Sequence, residues 1–205
     1  MEGSTITLDG SIALVVEFFN YSVNSILFQR AVYPPEDFTV KKKYGLNILV
    51  TINDELQLYM KQVCSQLEAW LTPGKISKLV LVIKDKDTAE VVERWQFDIH
   101  VHDKSDQAGG MTMNTASKST GDIYKEIQAI MRQITASVTF LPILEDKCTF
   151  NILVYADEDV QVPTTWEDSD PNLIAGGGEH VKLRSFDTSM HKIDALVAYR
   201  VMDDA

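Results

Sequence analysis

From about Ser11 to Arg30 the chain is apolar almost all the way round a helix. Ile12, Val15, Val16, Phe19, Val23, Ile26 and Leu27 recur at helical spacing, and Leu14 and Phe18 widen that surface. A helix without a wet side has to be central and packed on more than one side, so the other elements must be arranged around it. Asp9 is the expected cap. Tyr33-Pro34-Pro35 ends the helix, because proline excludes the helical conformation from the residue before it.

Two further helices carry a single apolar stripe each. Leu56, Tyr59, Met60, Val63, Leu67, Trp70 and Leu71 mark one that starts near Asn53, with Asp54 and Glu55 at the positive end of its dipole. Thr72-Pro73-Gly74 stops it. Ile123, Ile127, Ile130, Met131, Ile134 and Val138 mark the other. Its outer side holds Ala129, Arg132, Gln133 and Ala136, with Phe140 next in line. Small residues beside a guanidinium, an amide and a ring form a flat, dockable face, although an ordinary solvated face has the same composition.

The remaining pattern is strand. Leu79 to Ile83 is an unbroken apolar run suited to a strand buried on both faces. After a turn near Asp85 to Thr88, Trp95, Phe97, Ile99 and Val101 alternate with polar neighbours. Residues 103–120 are polar and read as a mobile surface loop. Thr149 to Tyr155 is a further strand, and Val181 to Phe186 and His191 to Val201 form a C-terminal hairpin whose Ile193, Ala195, Val197 and Tyr199 share one face. The class is therefore α+β, with three helices packed on one face of a mainly antiparallel sheet. An acidic segment from Asp157 to Glu179, with Pro163, Pro171 and three consecutive glycines from Gly176, tethers the hairpin. A loop that long in a compact domain is either functional or an idle excursion. Trp166 within it reads equally as an anchor or as a ligand contact.

At 205 residues the chain fits a single domain spanning 1–205, with a mobile region from about 157 onward. A net charge of −11 disfavours nucleic acid and anionic membranes as direct partners and favours a basic or neutral segment. Cys64 and Cys148 lie in apolar patterns and read as free thiols. The start of the chain lacks the features of a signal peptide, and no apolar run approaches a membrane span, so an intracellular protein is expected.

Chemistry is scarce. The glycines at Gly109 and Gly176 are not followed by the Lys-Ser of a phosphate cradle, and no nucleophile motif is present. Asp98, His100 and His102 share one strand face and are the best metal candidates, but a solvated face reads the same way and no fourth ligand is marked. No enzyme, cofactor or metal is expected.

The segment Arg132-Gln133-Ile134-Thr135-Ala136-Ser137-Val138-Thr139-Phe140-Leu141-Pro142 resembles a signature of the HORMA-domain family, in its mitotic arrest deficient branch that serves the spindle assembly checkpoint. Leu27 to Pro34, Lys43-Tyr44-Gly45-Leu46, Glu93 to Asp98, Leu183 to Phe186, and His191 to Tyr199 resemble the same family in the same order, over essentially the whole chain. The resemblance implies an adaptor that switches between open and closed conformers by moving its C-terminal hairpin. When closed it entraps a peptide of the anaphase-promoting complex activator, inhibits it and delays anaphase. Thr149, Phe150, Asn151, Ile152, Leu153, Val154 and Tyr155 would border that peptide, with Trp70 lining the ligand side and a strap from about Val160 to Glu179. Arg132, Gln133, Phe140 and Arg184 would form the self-dimer interface between an open and a closed copy, and Ile193, Val197 and Tyr199 the switching face. A coiled-coil adaptor at kinetochores is the other implied partner. The implied locations are the nucleus, mitotic kinetochores and the cytoplasm. Where some members carry a regulatory serine this chain has Ala195, so control by phosphorylation is not available there. A HORMA adaptor of another pathway, such as DNA-damage bypass or autophagy, is the alternative reading.

Overall fold

The computed structural model describes residues 6–102 and 118–201. Helix α1, Leu8–Gln29, is capped by Thr7, whose hydroxyl accepts from the Gly10 N–H. The expected cap, Asp9, instead lies inside the first turn, where its charge meets the positive end of the helix dipole. Phe18, Phe19, Val23, Ile26 and Leu27 are 0–1% exposed, so α1 is the axis of the core. By length and composition α1 is apolar enough to cross a membrane, against the reading from apolar runs, yet most of that stretch is buried within this protein.

A short hairpin follows, β1 (Phe38–Lys43) with β2 (Leu46–Thr51), which the sequence patterning did not reveal. Its two-residue turn is Tyr44-Gly45, both with positive φ (50° and 69°), as a tight hairpin of this hand demands. Helix α2, Asp54–Leu71, is capped by the Asn53 side chain on the Leu56 N–H. Strands β3 (Ile76–Asp85) and β4 (Val91–Val101) pair antiparallel around a turn in which the Asp85 carboxylate accepts from the Asp87 and Thr88 N–H groups. Leu79 to Ile83 are at most 1% exposed, the two-sided burial expected of an unbroken apolar run. The expected loop at residues 103–120 lies largely outside the described residues.

Helix α3, Thr120–Ala136, buries Ile123, Ile127, Ile130, Met131 and Ile134. Val138, assigned above to the same stripe, is 43% exposed. The helix tightens into a 3-10 turn over Ser137–Thr139, and that change of pitch turns Ser137 inward and Val138 outward. Strands β5 (Cys148–Ala156), β6 (Glu179–Asp187) and β7 (His191–Tyr199) complete a five-stranded antiparallel sheet in the order β5-β3-β4-β7-β6. The C-terminal hairpin and β5 therefore occupy opposite edges. The three helices form one layer, with α1 packed against α2, α3, β2 and β7.

Beneath α1 lies a buried ion pair. Arg30 Nε donates to Glu93 Oε1 at 2.8 Å, Trp95 Nε1 donates to Glu93 Oε2 at 3.1 Å, and the Arg30 guanidinium also holds the Pro142 carbonyl. Burial pushes the Glu93 carboxyl up, while Arg30 and the two hydrogen bonds pull it back. Cys64 and Cys148 are free and half-buried, and desolvation raises the Cys64 thiol to about 11.

Candidate functional site

On its outer side β5 has no strand partner among the described residues, since it pairs only with β3. Such an edge displays unpaired backbone donors and acceptors, the template for an added strand. Pleating divides its residues. Phe150, Ile152 and Val154 pack on the core, while Thr149, Asn151, Leu153 and Tyr155 alternate with them and so point to the helix-free face. Tyr33 and Tyr59 meet the Phe150 ring edge-on at 6.1 and 5.7 Å. Burial raises the Tyr59 phenol above its ordinary value against the pull of a hydrogen bond from the Ile152 backbone. A half-buried aromatic wall thus stands beside the open edge.

Residues 157–178 connect β5 to β6 without regular structure, from one edge of the sheet to the other. Five points tie this strap down. Asp157 N donates to the Lys75 carbonyl at 2.9 Å, and Lys75 Nζ reaches Asp159 Oδ2 at 2.8 Å. Trp70 Nε1 donates to the Gln161 carbonyl at 3.3 Å, and the Trp166 ring stands edge-on to Trp70 at 5.1 Å. Ile174, 5% exposed, seats the far end. Just before β6, Gly178 has φ +66°, and a Cβ there would lie 2.5 Å from the Tyr199 carbonyl, so the strap can meet β7 this closely only through glycine. Trp70, which the resemblance places on the ligand side, is 7% exposed beneath the strap and anchors it.

Replacing Trp166 with Ala removes the cover of Trp70. Trp166 no longer emits and Trp95 stays buried, so the part of the variant's tryptophan emission that acrylamide quenches reports Trp70. Peptide dissociation from the variant should be about tenfold faster, the effect of losing a half-buried aromatic contact. Variant emission fully shielded from acrylamide, with unchanged dissociation, would show that the ring does not hold the strap.

The other predicted group is partly brought together. Arg132 and Gln133 lie on α3, Phe140 is 42% exposed just beyond the 3-10 turn, and Arg184 is exposed on β6. Gln133 Oε1 accepts from the Arg184 N–H at 2.6 Å, where β6 loses register with β7 between Lys182 and Ser185. Glu126 Oε2 accepts in the same way from Asp187 N at 3.0 Å. Gln133 therefore also caps the outer edge of β6, a role that helical spacing could not reveal. Ile193 and Val197 are buried at 1% and 0%, and Tyr199, half-buried, donates to Glu179 at 2.6 Å. Ala195, 3% exposed, fills the same inner row.

Asp98, His100 and His102 do not converge. Asp98 is held by Gln96 and Lys78, His100 by Asp194 at 3.1 Å and His102 by Asp187 at 3.1 Å. Two of these links instead stitch β4 to the C-terminal hairpin.

An α+β domain with an open sheet edge at β5, a strap anchored beside it and a C-terminal hairpin on the opposite edge is an architecture suited to adding a strand at that edge. The family model for the HORMA domain matches residues 11–191. The mitotic spindle checkpoint component mad2 of Schizosaccharomyces pombe is 54% identical over 199 residues, 97% of this chain and 96% of that protein. The human mitotic spindle assembly checkpoint protein MAD2A is 47% identical over 196 residues, 96% of this chain and 93% of that protein. A chain in the crystal structure of a mitotic checkpoint complex superposes with a TM-score of 0.82 at 53% identity, covering 94% of this chain and 99% of that one. HTP-2 of C. elegans, bound to an HTP-3 closure motif, shares the fold at 15% identity and a TM-score of 0.72, covering 96% of this chain and 88% of that one. This chain belongs to the HORMA-domain family and, within it, to the spindle assembly checkpoint branch. Those identities leave the alternative of an adaptor for DNA-damage bypass or autophagy without support.

Proposed function

We propose that this spindle assembly checkpoint adaptor works by trapping a short linear peptide as an added strand on β5, with residues 157–178 as the strap that closes over it. The observation that carries the reading is the joint placement of an open edge at β5, an anchored strap beside it and the hairpin on the far edge. Main-chain bonds along Thr149 to Tyr155 supply affinity, and the wall of Tyr33, Tyr59 and Phe150 supplies selectivity for apolar side chains. A net charge of −11 favours a basic peptide. The captured segment belongs to the anaphase-promoting complex activator or to the coiled-coil adaptor of the kinetochore, which places the chain in the nucleus, at kinetochores and in the cytoplasm. Capture is binding and topology, without a catalytic step. In the open conformer the hairpin moves to the β5 edge and occupies the peptide's place.

Calorimetric titration should show saturable binding of a peptide with a basic residue, an aliphatic pair and a proline a few residues on. Absence of binding to every such peptide by the intact chain would end the capture reading.

Arg132, Gln133, Phe140 and Arg184 form the face on which an open copy docks on a closed one. Arg132→Glu with Gln133→Ala removes a guanidinium donor and an amide, and with the amide the acceptor of the Arg184 N–H, while leaving the buried stripe of α3 and the Glu126 cap of β6 untouched. The double variant should run as a folded monomer on a sizing column and still bind peptide. An unchanged dimer would place the interface elsewhere.

A further inference from the structure

The two ends of the described chain meet in a buried polar cluster. Ser11, in the first turn of α1, is 0% exposed, and Thr188 and His191, in the turn joining β6 to β7, are 1% exposed each. Ser11 Oγ lies 2.6 Å from Thr188 Oγ1 and 2.7 Å from His191 Nδ1. Thr188 Oγ1 also accepts from the His191 N–H at 2.9 Å and donates to the His191 carbonyl at 3.1 Å. The hydroxyl of Thr188 thus shapes the turn and touches α1 at the same time. Burial holds the His191 imidazole below its ordinary pKa, which keeps it neutral and leaves one ring nitrogen free to share a proton with Ser11.

Apolar contacts such as those of Ile193 and Val197 tolerate sliding, because they have no direction. A buried network of three polar groups does not, since each is satisfied only when the other two are in place. Among the described residues, both partners of the Ser11 hydroxyl belong to the hairpin, so the network exists only while the hairpin is seated on this edge. We propose that Ser11, Thr188 and His191 form a latch between α1 and the hairpin tip that sets how fast the C-terminal hairpin leaves this edge of the sheet. Release of a trapped peptide then runs through the latch, a consequence that rests on the capture reading above.

The test uses the full chain with Ser11→Ala and Thr188→Val, singly and together, followed first by native-state hydrogen exchange without peptide. Alanine is the best helix former, so Ser11→Ala does not weaken α1 through its backbone. Amides from Thr188 to Tyr199 should exchange about tenfold faster, as for loss of one buried hydrogen bond, while those of β3 and α2 keep their rates. The double variant should be scarcely faster than either single one, because both remove the same network. Unchanged exchange in the hairpin, equal acceleration in β3, or fully additive effects would each overturn the latch. Should Thr188→Val fail to fold, Ser11→Ala alone decides on the first two criteria. Peptide dissociation is measured afterwards. Faster hairpin exchange with unaltered dissociation upholds the latch and instead refutes release through hairpin opening.

Discussion

A chain lacking Ala195 to Ala205 is expected to lose peptide capture and to remain folded. β7 lies between β4 and β6, so this deletion removes the half that pairs Ala195, Val197 and Tyr199 with Phe97, Trp95 and Glu93, and the pairing of Leu196 to Tyr199 with β6. It also removes the Tyr199 carbonyl against which Gly178 closes the strap. The hairpin is then too short to hold the far edge, and the strap loses its downstream anchor. The unbroken run of β3, the α1 axis and the α2 and α3 stripes persist, which is why circular dichroism should still report a folded chain. The Arg132 face lies on α3 and survives, so the truncated chain should dock on a full-length closed copy in a mixing experiment on a sizing column. Tight peptide binding by the truncated chain would rule out the strap mechanism.

The second large effect belongs to the ion pair beneath α1. Replacing either Arg30 or Glu93 with Ala leaves its partner charged, unpaired and nearly inaccessible to water, at a cost of about 3–5 kcal/mol. Replacing both, Arg30 with Met and Glu93 with Leu, removes the charges together and should recover most of that loss. Thermal melting of the three variants checks the ordering. The pair joins the end of α1 to β4 and, through the Pro142 carbonyl, to the segment after α3. If each single variant melts like the parent, the pair is solvated and the burial argument fails.

Much of the site was legible along the chain because its elements are locally periodic. The α3 stripe, the two-sided burial of Leu79 to Ile83 and the shared face of Ile193, Ala195 and Val197 all follow from spacing. Four features were not. The hairpin of β1 and β2 has a weak alternation, and its signal was the Tyr44-Gly45 turn. The stripe of Trp70 says only that one side of its helix is apolar, not that a strap covers it. The contact of Gln133 with the Arg184 backbone and the cluster of Ser11, Thr188 and His191 join residues far apart in sequence, which no local pattern encodes.

The sequence by itself determined the three helices and the five strands of the main sheet, that α1 is the axis of the core, that the sheet is antiparallel with helices on one face, and that a long acidic strap precedes a hairpin. These follow from apolar spacing, proline and glycine, and each is settled within a few turns or one strand. Only the tertiary structure decided which edge of the sheet the hairpin occupies. Both edges offer similar rows of backbone donors and acceptors, so a strand that alternates correctly satisfies either one. The choice is made by distant partners: the α1 clasp on the turn at Thr188, the α3 side chains that cap β6, His100 of β4 and His102 just beyond it, which meet Asp194 and Asp187, and the strap length that leaves β5 open.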